Sequence, residues 1–159
     1  MSRNSKVLEN LQQALSMELS AVHQYLMHAH ILDNWGMDRL AAQMREEMQE
    51  ELGHAGGFID RILFLKGEPR IVPAKTPEMA TSLEAMFEAD LADERSSVAF
   101  YTEAAEEAAK ESDIGTRTLF EQTLLDEEGH AAWLELQLDL LERMGQGAYI
   151  AKHMTAPGD

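Results

Sequence analysis

Cysteine is absent from this chain of 159 residues. Disulfides, zinc ribbons, iron–sulfur clusters and thiol chemistry are therefore excluded, although the absence says nothing about the compartment. Glycine and proline are also scarce, with 10 and 4 residues, which leaves long stretches free of helix breakers. No apolar run is long enough for a membrane span or a signal peptide, so we expect a cytoplasmic protein.

Positive charge is the second scarcity. The chain has 13 Lys and Arg against 29 Asp and Glu, for a formal net charge of −16. Binding to a nucleic-acid backbone needs clustered basic residues and is disfavoured. An acidic surface suits cations, but it also simply keeps a protein soluble, so the charge alone selects no function.

Apolar residues recur at three- and four-residue steps along most of the chain, and no alternating strand pattern is found. The pattern predicts an all-α fold in one domain over 1–159. We expect long helices over about 5–34, 38–66, 82–110 and 114–144, and a short fifth helix over about 146–154. About fifteen residues with three prolines separate the second and third helices. Two hairpins joined by one long crossover form the ferritin-like topology of a four-helix bundle.

An internal repeat carries the chemistry. Residues 50–55 read EELGHA and residues 126–131 read DEEGHA, 76 positions apart on the second helix of each hairpin. Each copy contains Glu-x-x-His, and its Glu lies 33 residues after another Glu on the first helix of the same hairpin. The two sets are Glu18, Glu51 and His54, and Glu94, Glu127 and His130.

These residue types point to a pair of metal ions. Positions i and i+3 share a helix face, so Glu and His of each motif can bind one ion. Glu18 and Glu94 align with apolar residues and therefore point inward, where carboxylates are costly unless they are compensated. Two divalent cations offset four carboxylates, and two neutral imidazoles complete the coordination. A single Glu-x-x-His is common by chance on a solvated face, but two copies in register are not.

Carboxylate and imidazole ligands without thiolate suit Fe(II) or Mn(II), and zinc could occupy the site without redox turnover. Glu50 and Asp126 precede the ligand glutamates and are candidates to accept a hydrogen bond from a ligand histidine. Tyr25 is a candidate to bond a ligand carboxylate or to donate an electron, with simple packing as the alternative. Tyr101 and Trp133 are weaker candidates for the same roles.

With these motifs the chain resembles a bacterioferritin along nearly its whole length, as seen in residues 24–25 (QY), 34–36 (NWG), 61–65 (RILFL) and 126–130 (DEEGH). The second Glu-x-x-His matters most, because ordinary ferritins do not keep it on the fourth helix. The resemblance implies a ferroxidase that oxidises Fe(II) with O2 or H2O2 and stores ferric mineral in a hollow shell of 24 subunits. It also implies two iron ions per subunit. Glu51 and Glu127 would bridge them, and the other ligand pairs would be Glu18 with His54 and Glu94 with His130.

The resemblance further implies subunit pairing across a two-fold axis, a fifth helix near the four-fold pore and a ferredoxin-type reductant for iron release. The family holds a haem b at the two-fold axis between two methionines, and the matching position here is Leu52. An alkyl side chain cannot ligate iron, so haem is not supported at that position. Met48 is a weak alternative ligand, because a Met in a helix interface more often packs. The subunit would be haem-free, or would assemble with a haem-binding sister subunit.

Other polar residues are less informative. Three acidic residues cluster on the second helix: Glu46, Glu47 and Glu50. The family can carry iron ligands of the inner shell surface in this region. The alternative is that the three side chains simply form a solvated helix face. The remaining histidines are expected to be core or surface residues rather than ligands: His23, His28, His30 and His153.

Two other functions stay open. One is another two-metal activity on this bundle, such as peroxide reduction or manganese catalase, although such enzymes usually add chain for a substrate pocket. The other is a structural or regulatory shell subunit whose site is dispensable. The complete set of six ligands argues against the second, because a lapsed site would be expected to lose ligands.

Overall fold

The computed structural model describes residues 5–155, and none of these residues lies in a β-strand. They form five helices: α1 (Ser5–Asn34), α2 (Asp38–Phe64), α3 (Leu83–Lys110), α4 (Ile114–Met144) and α5 (Gln146–Lys152). The first two long helices pack along each other as one hairpin, and the next two form a second hairpin. The predicted all-α bundle, with one long crossover and a short fifth helix, is thereby confirmed.

The ends of the chain, residues 1–4 and 156–159, belong to the predicted domain but lie outside the described residues. Within the described part, no helix combines the length and the apolar character that a bilayer crossing requires.

Helices α1, α2 and α3 end in the same way. Each is followed by a residue with left-handed backbone: Gly36, Lys66 and Ser112, with φ of 89°, 66° and 60°. The next N–H then donates to a carbonyl five positions back at 2.9 Å, as from Gly67 to Ile62. The sequence predicts that α2 runs to about residue 66. It ends at Phe64 instead, because Lys66 adopts the left-handed backbone that usually ends a helix at a glycine.

Polar side chains cap the starts of α3 and α4. Ser82 Oγ accepts a hydrogen bond from the Ala85 N–H at 3.1 Å, so the helix expected from about 82 begins one residue later. Asp113 accepts from the Thr116 N–H at 3.0 Å and caps α4. The fifth helix is shorter than the predicted 146–154 and ends at Lys152.

Two apolar clusters fill the bundle, one towards each end. The cluster around Phe87 combines the later part of α1 with the early parts of α2 and α3, and includes Tyr149 of α5. The other cluster contains Phe58, Tyr101 and Phe120, whose ring centroids lie 5.7–5.9 Å apart. On α2, α3 and α4 the predicted ligands fall between these clusters, and on α1 Glu18 adjoins Leu19, the last α1 residue of the second cluster. The bundle therefore has a polar layer at mid-length.

The crossover from Leu65 to Ser82 is fastened to one face of α1. Gln12 bonds both backbone groups of Arg70, at 3.0 and 2.9 Å, and Gln24 bonds both groups of Glu78, at 2.9 and 3.1 Å. Between them, Ser20 Oγ accepts from the Lys75 N–H at 3.0 Å. The spacing of these α1 residues keeps them on one helix face. The crossover is thus held in a fixed register along α1.

Arg61 connects the two hairpins at one end of the bundle. Its guanidinium donates to Asp113 Oδ1 at 2.7 Å and to the buried Thr116 Oγ1 at 2.9 Å, and lies 4.6 Å from the ring centre of Phe64. Burial alone would raise the pKa of Asp113, but the hydrogen bonds from Thr116 and Arg61 lower it below its usual value. Asp113 therefore carries its charge at neutral pH.

Replacing Asp113 by Ala should lower the free energy of unfolding by about 2 kcal/mol, because α4 loses its cap and Arg61 loses its partner. Denaturant unfolding at neutral pH measures the loss. Asp139→Ala is the matched control, since it removes only an exposed ion pair with Arg143 at 3.1 Å. Equal unfolding midpoints for the two variants would contradict this account.

Candidate metal centre

The six predicted ligands meet in the polar layer between the two apolar clusters. Each hairpin brings one Glu from its first helix and Glu-x-x-His from its second. The four glutamates are at most 4% exposed, and both histidines are largely covered: Glu18, Glu51, His54, Glu94, Glu127 and His130. The spacing on each helix turns all six inward.

The donor atoms form two groups, within each of which all of them lie within 4.8 Å of one another. Both groups contain Glu51 and Glu127. Glu18 and His54 complete one group, and Glu94 and His130 complete the other. If each group held one ion, the two ions would share the carboxylates of Glu51 and Glu127. These are the residues to which the resemblance assigns the bridging role.

Both histidines turn Nδ1 towards the carboxylates. His54 Nδ1 lies 3.1 Å from Glu127 Oε1, and His130 Nδ1 lies 2.9 Å from Glu51 Oε1. On the opposite side, His54 Nε2 lies 2.9 Å from a carboxylate oxygen of Asp126.

His130 Nε2 lies 2.9 Å from Glu50 in the same way. A carboxylate that accepts from Nε2–H fixes the proton there and leaves the Nδ1 lone pair for a metal. In both cases the acceptor comes from the other hairpin. The docking of the hairpins therefore sets the orientation of both rings.

Two tyrosines also cross between the hairpins. Tyr25 Oη donates to Glu94 Oε1 at 2.7 Å, and Tyr101 Oη donates to Glu18 Oε1. Burial raises the pKa of both phenols, and the nearby carboxylates raise it further, so both remain donors. Tyr101, the weaker candidate from sequence, is placed equivalently to Tyr25. The other weak candidate, Trp133, packs edge-on against Phe87.

The crowding of carboxylates raises the proton affinity of the layer. Burial and the neighbouring Glu127 raise the pKa of Glu94 to about 8. Burial alone would lower the pKa of His54, but hydrogen bonds to Glu127 and Glu51 raise it to about 11. The pKa of His130 is raised for the same reason. The layer thus requires positive charge, which either protons or metal ions can supply.

The buried polar atoms provide a test of whether a metal pair fits. Unbonded buried polar atoms are costly and are rare in folded proteins. Within the described residues, five buried atoms of this layer make no well-oriented hydrogen bond, although His130 Nδ1 and Glu51 Oε1 lie only 2.9 Å apart: Glu18 Oε2, Glu51 Oε1, Glu94 Oε2, Glu127 Oε1 and His130 Nδ1. They come from both donor groups, and coordination to two cations would satisfy them. Oxygen and imidazole donors without thiolate fit Fe(II) or Mn(II).

The three acidic candidates on α2 separate in the structure. Glu46 is exposed. Glu47 is buried and lies 2.7 Å from His130 Nε2. Glu47, Glu50 and His130 form a further group of donors within 4.8 Å of one another. Helical periodicity alone could not distinguish the three, because the difference lies in what α4 places opposite them.

The structure also shows a buried polar chain that the sequence does not reveal. His28 is only 1% exposed, and its Nδ1 lies 3.0 Å from Asp90 Oδ2. Its Nε2 lies 2.8 Å from the amide nitrogen of Gln24, whose orientation is fixed by its two bonds to Glu78. Because that amide donates to Nε2, the ring is oriented with Nδ1–H donating to Asp90.

Of the other histidines, His23 and His30 are exposed, and His153 packs on the Tyr149 ring. Leu52 is 47% exposed on α2, whereas Met48 packs against the Phe87 cluster.

A cavity of about 240 Å³ opens from the ligand layer towards the surface. It lies between α1, α3 and the crossover, and all four ligand glutamates line its inner part. Asp90 lines it as well. At its outer part lie Lys75 of the crossover and Asp93 of α3, whose side chains are both largely exposed. The predicted ligands are therefore reachable by small ions and molecules.

Comparison with known sequences identifies one family. The model of the ferritin-like domain matches residues 8–144. A bacterioferritin from Brucella melitensis biotype 1 is 40% identical over 159 residues, which covers 100% of this chain and 98% of the relative. A bacterioferritin from Mycolicibacterium paratuberculosis is 37% identical over 157 residues, or 99% of each chain.

Solved structures agree. A Rhodobacter capsulatus bacterioferritin has a TM-score of 0.95 at 35% identity, and the match covers 100% of this chain and 99% of that one. That protein is described with a metal-free dinuclear site and a heme iron in a crystallographic special position. The Mycobacterium tuberculosis bacterioferritin BfrA gives a TM-score of 0.94 at 34% identity, over 99% of each chain.

Uptake of Zn(II) by the metal-free protein should release protons near neutral pH. The raised pKa values of His54 and His130 mean that both rings are protonated before the metal binds, and a ligand nitrogen must lose its proton. Glu94, whose pKa is raised to about 8, is also largely protonated at neutral pH, so we expect about three protons per chain and an affinity that rises with pH. Titration calorimetry in buffers of different ionisation enthalpy measures the release. Binding heats that do not depend on the buffer would contradict the prediction.

Proposed function

We propose that this chain, which belongs to the bacterioferritin family, oxidises Fe(II) at the six-residue centre and stores the ferric product. The observation that carries the proposal is the sharing of Glu51 and Glu127 between two complete donor groups. Such sharing suits a pair of ions that react together rather than two independent sites.

The reaction needs two electrons at one place. Two Fe(II) ions each supply one electron, and together they reduce O2 to H2O2, or H2O2 to two waters, with the uptake of two protons. Four carboxylates balance the charge of the two ferrous ions, so that both ions can bind in a buried layer. The protein therefore has to hold the donors in place, admit the oxidant and let the ferric product leave.

The surrounding residues keep the donors in position. Tyr25 and Tyr101 each donate to one oxygen of an unshared glutamate and leave its second oxygen free for iron. Asp126 and Glu50 hold the histidines with Nδ1 inward. The carboxylates of Asp126 and Glu50 raise the basicity of the histidines, and all four contacts restrict the orientation of the ligands. Their removal should weaken iron binding without abolishing it.

The proposal includes a hollow shell of 24 copies of this chain in the cytoplasm, with a ferredoxin-type protein as reductant for iron release. Leu52 is exposed on α2, at the position where the resemblance places the contact between paired subunits. It supports a two-fold axis without haem b. Met48, the weak alternative ligand, is engaged in the core. A mixed shell with a haem-binding sister subunit is the alternative assembly.

Loss of a ligand that both donor groups share should reduce the number of bound ions more than loss of a ligand that belongs to one group. Glu127→Ala removes a donor from both groups and should abolish binding of both ions, whereas Glu94→Ala should leave one ion bound. Both variants should lose at least about 10-fold in the initial rate of Fe(II) oxidation. Anaerobic Co(II) titration counts the ions, and ferric absorbance follows the rate.

Glu128→Gln is the matched control, because Glu128 is the exposed neighbour of Glu127 on the same helix. It should bind two ions and react at the normal rate. If Glu127→Ala still binds two Co(II) ions, the proposed pair of sites is wrong.

Storage is tested by size and capacity. The assembled particle should have a mass of roughly 430 kDa, from 24 chains of 17.8 kDa. Aerobic Fe(II) should give ferric absorbance well beyond two irons per chain, and purified particles should show no haem Soret band. Sedimentation and visible spectroscopy measure these properties. A dimer that stops at two irons would rule out storage but not the two-metal centre. Manganese-dependent breakdown of H2O2 instead would favour a catalase.

A further inference from the structure

The cavity that leads to the ligand layer has one positive charge at its mouth. Lys75 is the only Lys or Arg among the described residues that line it. Six carboxylates line the same cavity: Glu18, Glu51, Asp90, Asp93, Glu94 and Glu127. A cavity of this composition attracts divalent cations, so a lysine at its opening acts against that attraction.

The position of Lys75 is determined by the crossover. Its backbone N–H donates to Ser20 Oγ at 3.0 Å, and the neighbouring Ala74 N–H donates to the Ser16 carbonyl at 3.0 Å. These bonds fix the residue on the α1 side of the cavity. From there its Nζ reaches Asp93 Oδ1 on α3 at 2.6 Å. The ion pair therefore connects the crossover to α3 across the mouth.

We propose that Lys75 and Asp93 form an electrostatic gate that controls the entry of divalent cations to the ligand layer. The inference rests on the proposed function, since the gate admits the Fe(II) that the centre oxidises. Asp93 is the outermost carboxylate of the cavity, and the lysine ammonium occupies it. An entering Fe(II) ion replaces the ammonium at Asp93 and then moves inward to the four glutamates.

The gate opens readily because both partners are largely exposed. Exposed ion pairs are weak and are screened by salt, so the ammonium exchanges with a divalent cation without any movement of the backbone. Uncharged oxidants, O2 and H2O2, are not repelled by the lysine. The pair thus discriminates by charge and slows cations relative to oxidants.

The two partners should have opposite effects on the rate. Lys75→Gln removes the repelling charge and frees Asp93, so cation entry becomes faster. Asp93→Asn removes the first carboxylate and leaves the ammonium at the mouth, so entry becomes slower. In the double variant the two changes offset each other. Neither residue belongs to the donor groups, so the number of ions bound at saturation stays the same in all variants.

Anaerobic stopped-flow mixing of the metal-free shell with Co(II) measures entry through the visible absorbance of the bound ion, without any oxidation. We expect Lys75→Gln to bind Co(II) roughly 2- to 5-fold faster than the wild type, and Asp93→Asn to bind it slower by a similar factor. High salt should reduce both differences. Lys110→Gln is the matched control, since it removes another exposed ion pair of α3, with Glu107, outside the cavity.

Equal rates for Lys75→Gln and Lys110→Gln would overturn the gate, as would a change in the number of bound Co(II) ions instead of the rate. These outcomes differ from failure of the proposed function. In that case the wild type would show the same Co(II) spectrum as Glu127→Ala, whatever residue occupies position 75.

Discussion

The burial of four glutamates in the middle of an apolar bundle is the constraint on which the rest of the structure depends. Four unbalanced charges there would cost many times the net stability of a small domain. Two features of the chain reduce this cost. It divides its core into two apolar clusters, so that the carboxylates share one layer. It also surrounds them with groups that donate hydrogen bonds and so offset part of their negative charge.

Nearly all of these supporting contacts run between the hairpins rather than within them. Tyr25 of the first hairpin bonds Glu94 of the second, and Tyr101 reciprocates with Glu18. The histidines follow the same rule, as His54 with Asp126 shows. Neither hairpin alone can therefore orient its own ligands. Metal binding at the proposed centre would therefore favour hairpin docking, and docking would favour metal binding.

The crossover has a part in function as well as in topology. Its bonds to Gln12, Ser20 and Gln24 fix its register on α1. One of these contacts orients the amide that bonds the buried His28, and another sets Lys75 at the mouth of the cavity. The connection that returns the chain to the end of the bundle where α2 begins thus also lines the cavity that leads from the surface to the four glutamates.

The sequence by itself determined the helices, the crossover and the identity of the six inward residues, because helical periodicity and an internal repeat are local properties of the chain. That Leu52 cannot ligate iron is likewise a property of the sequence alone, whereas the absence of haem stays a prediction. The sequence misplaced the end of α2, because Lys66 adopts a left-handed backbone without being glycine. The partners of each tyrosine and histidine, the burial of Glu47 rather than Glu46, and the pairing of Lys75 with Asp93 were decided only by the tertiary structure. These contacts join residues far apart in the chain, and their geometry depends on how two hairpins and a crossover dock.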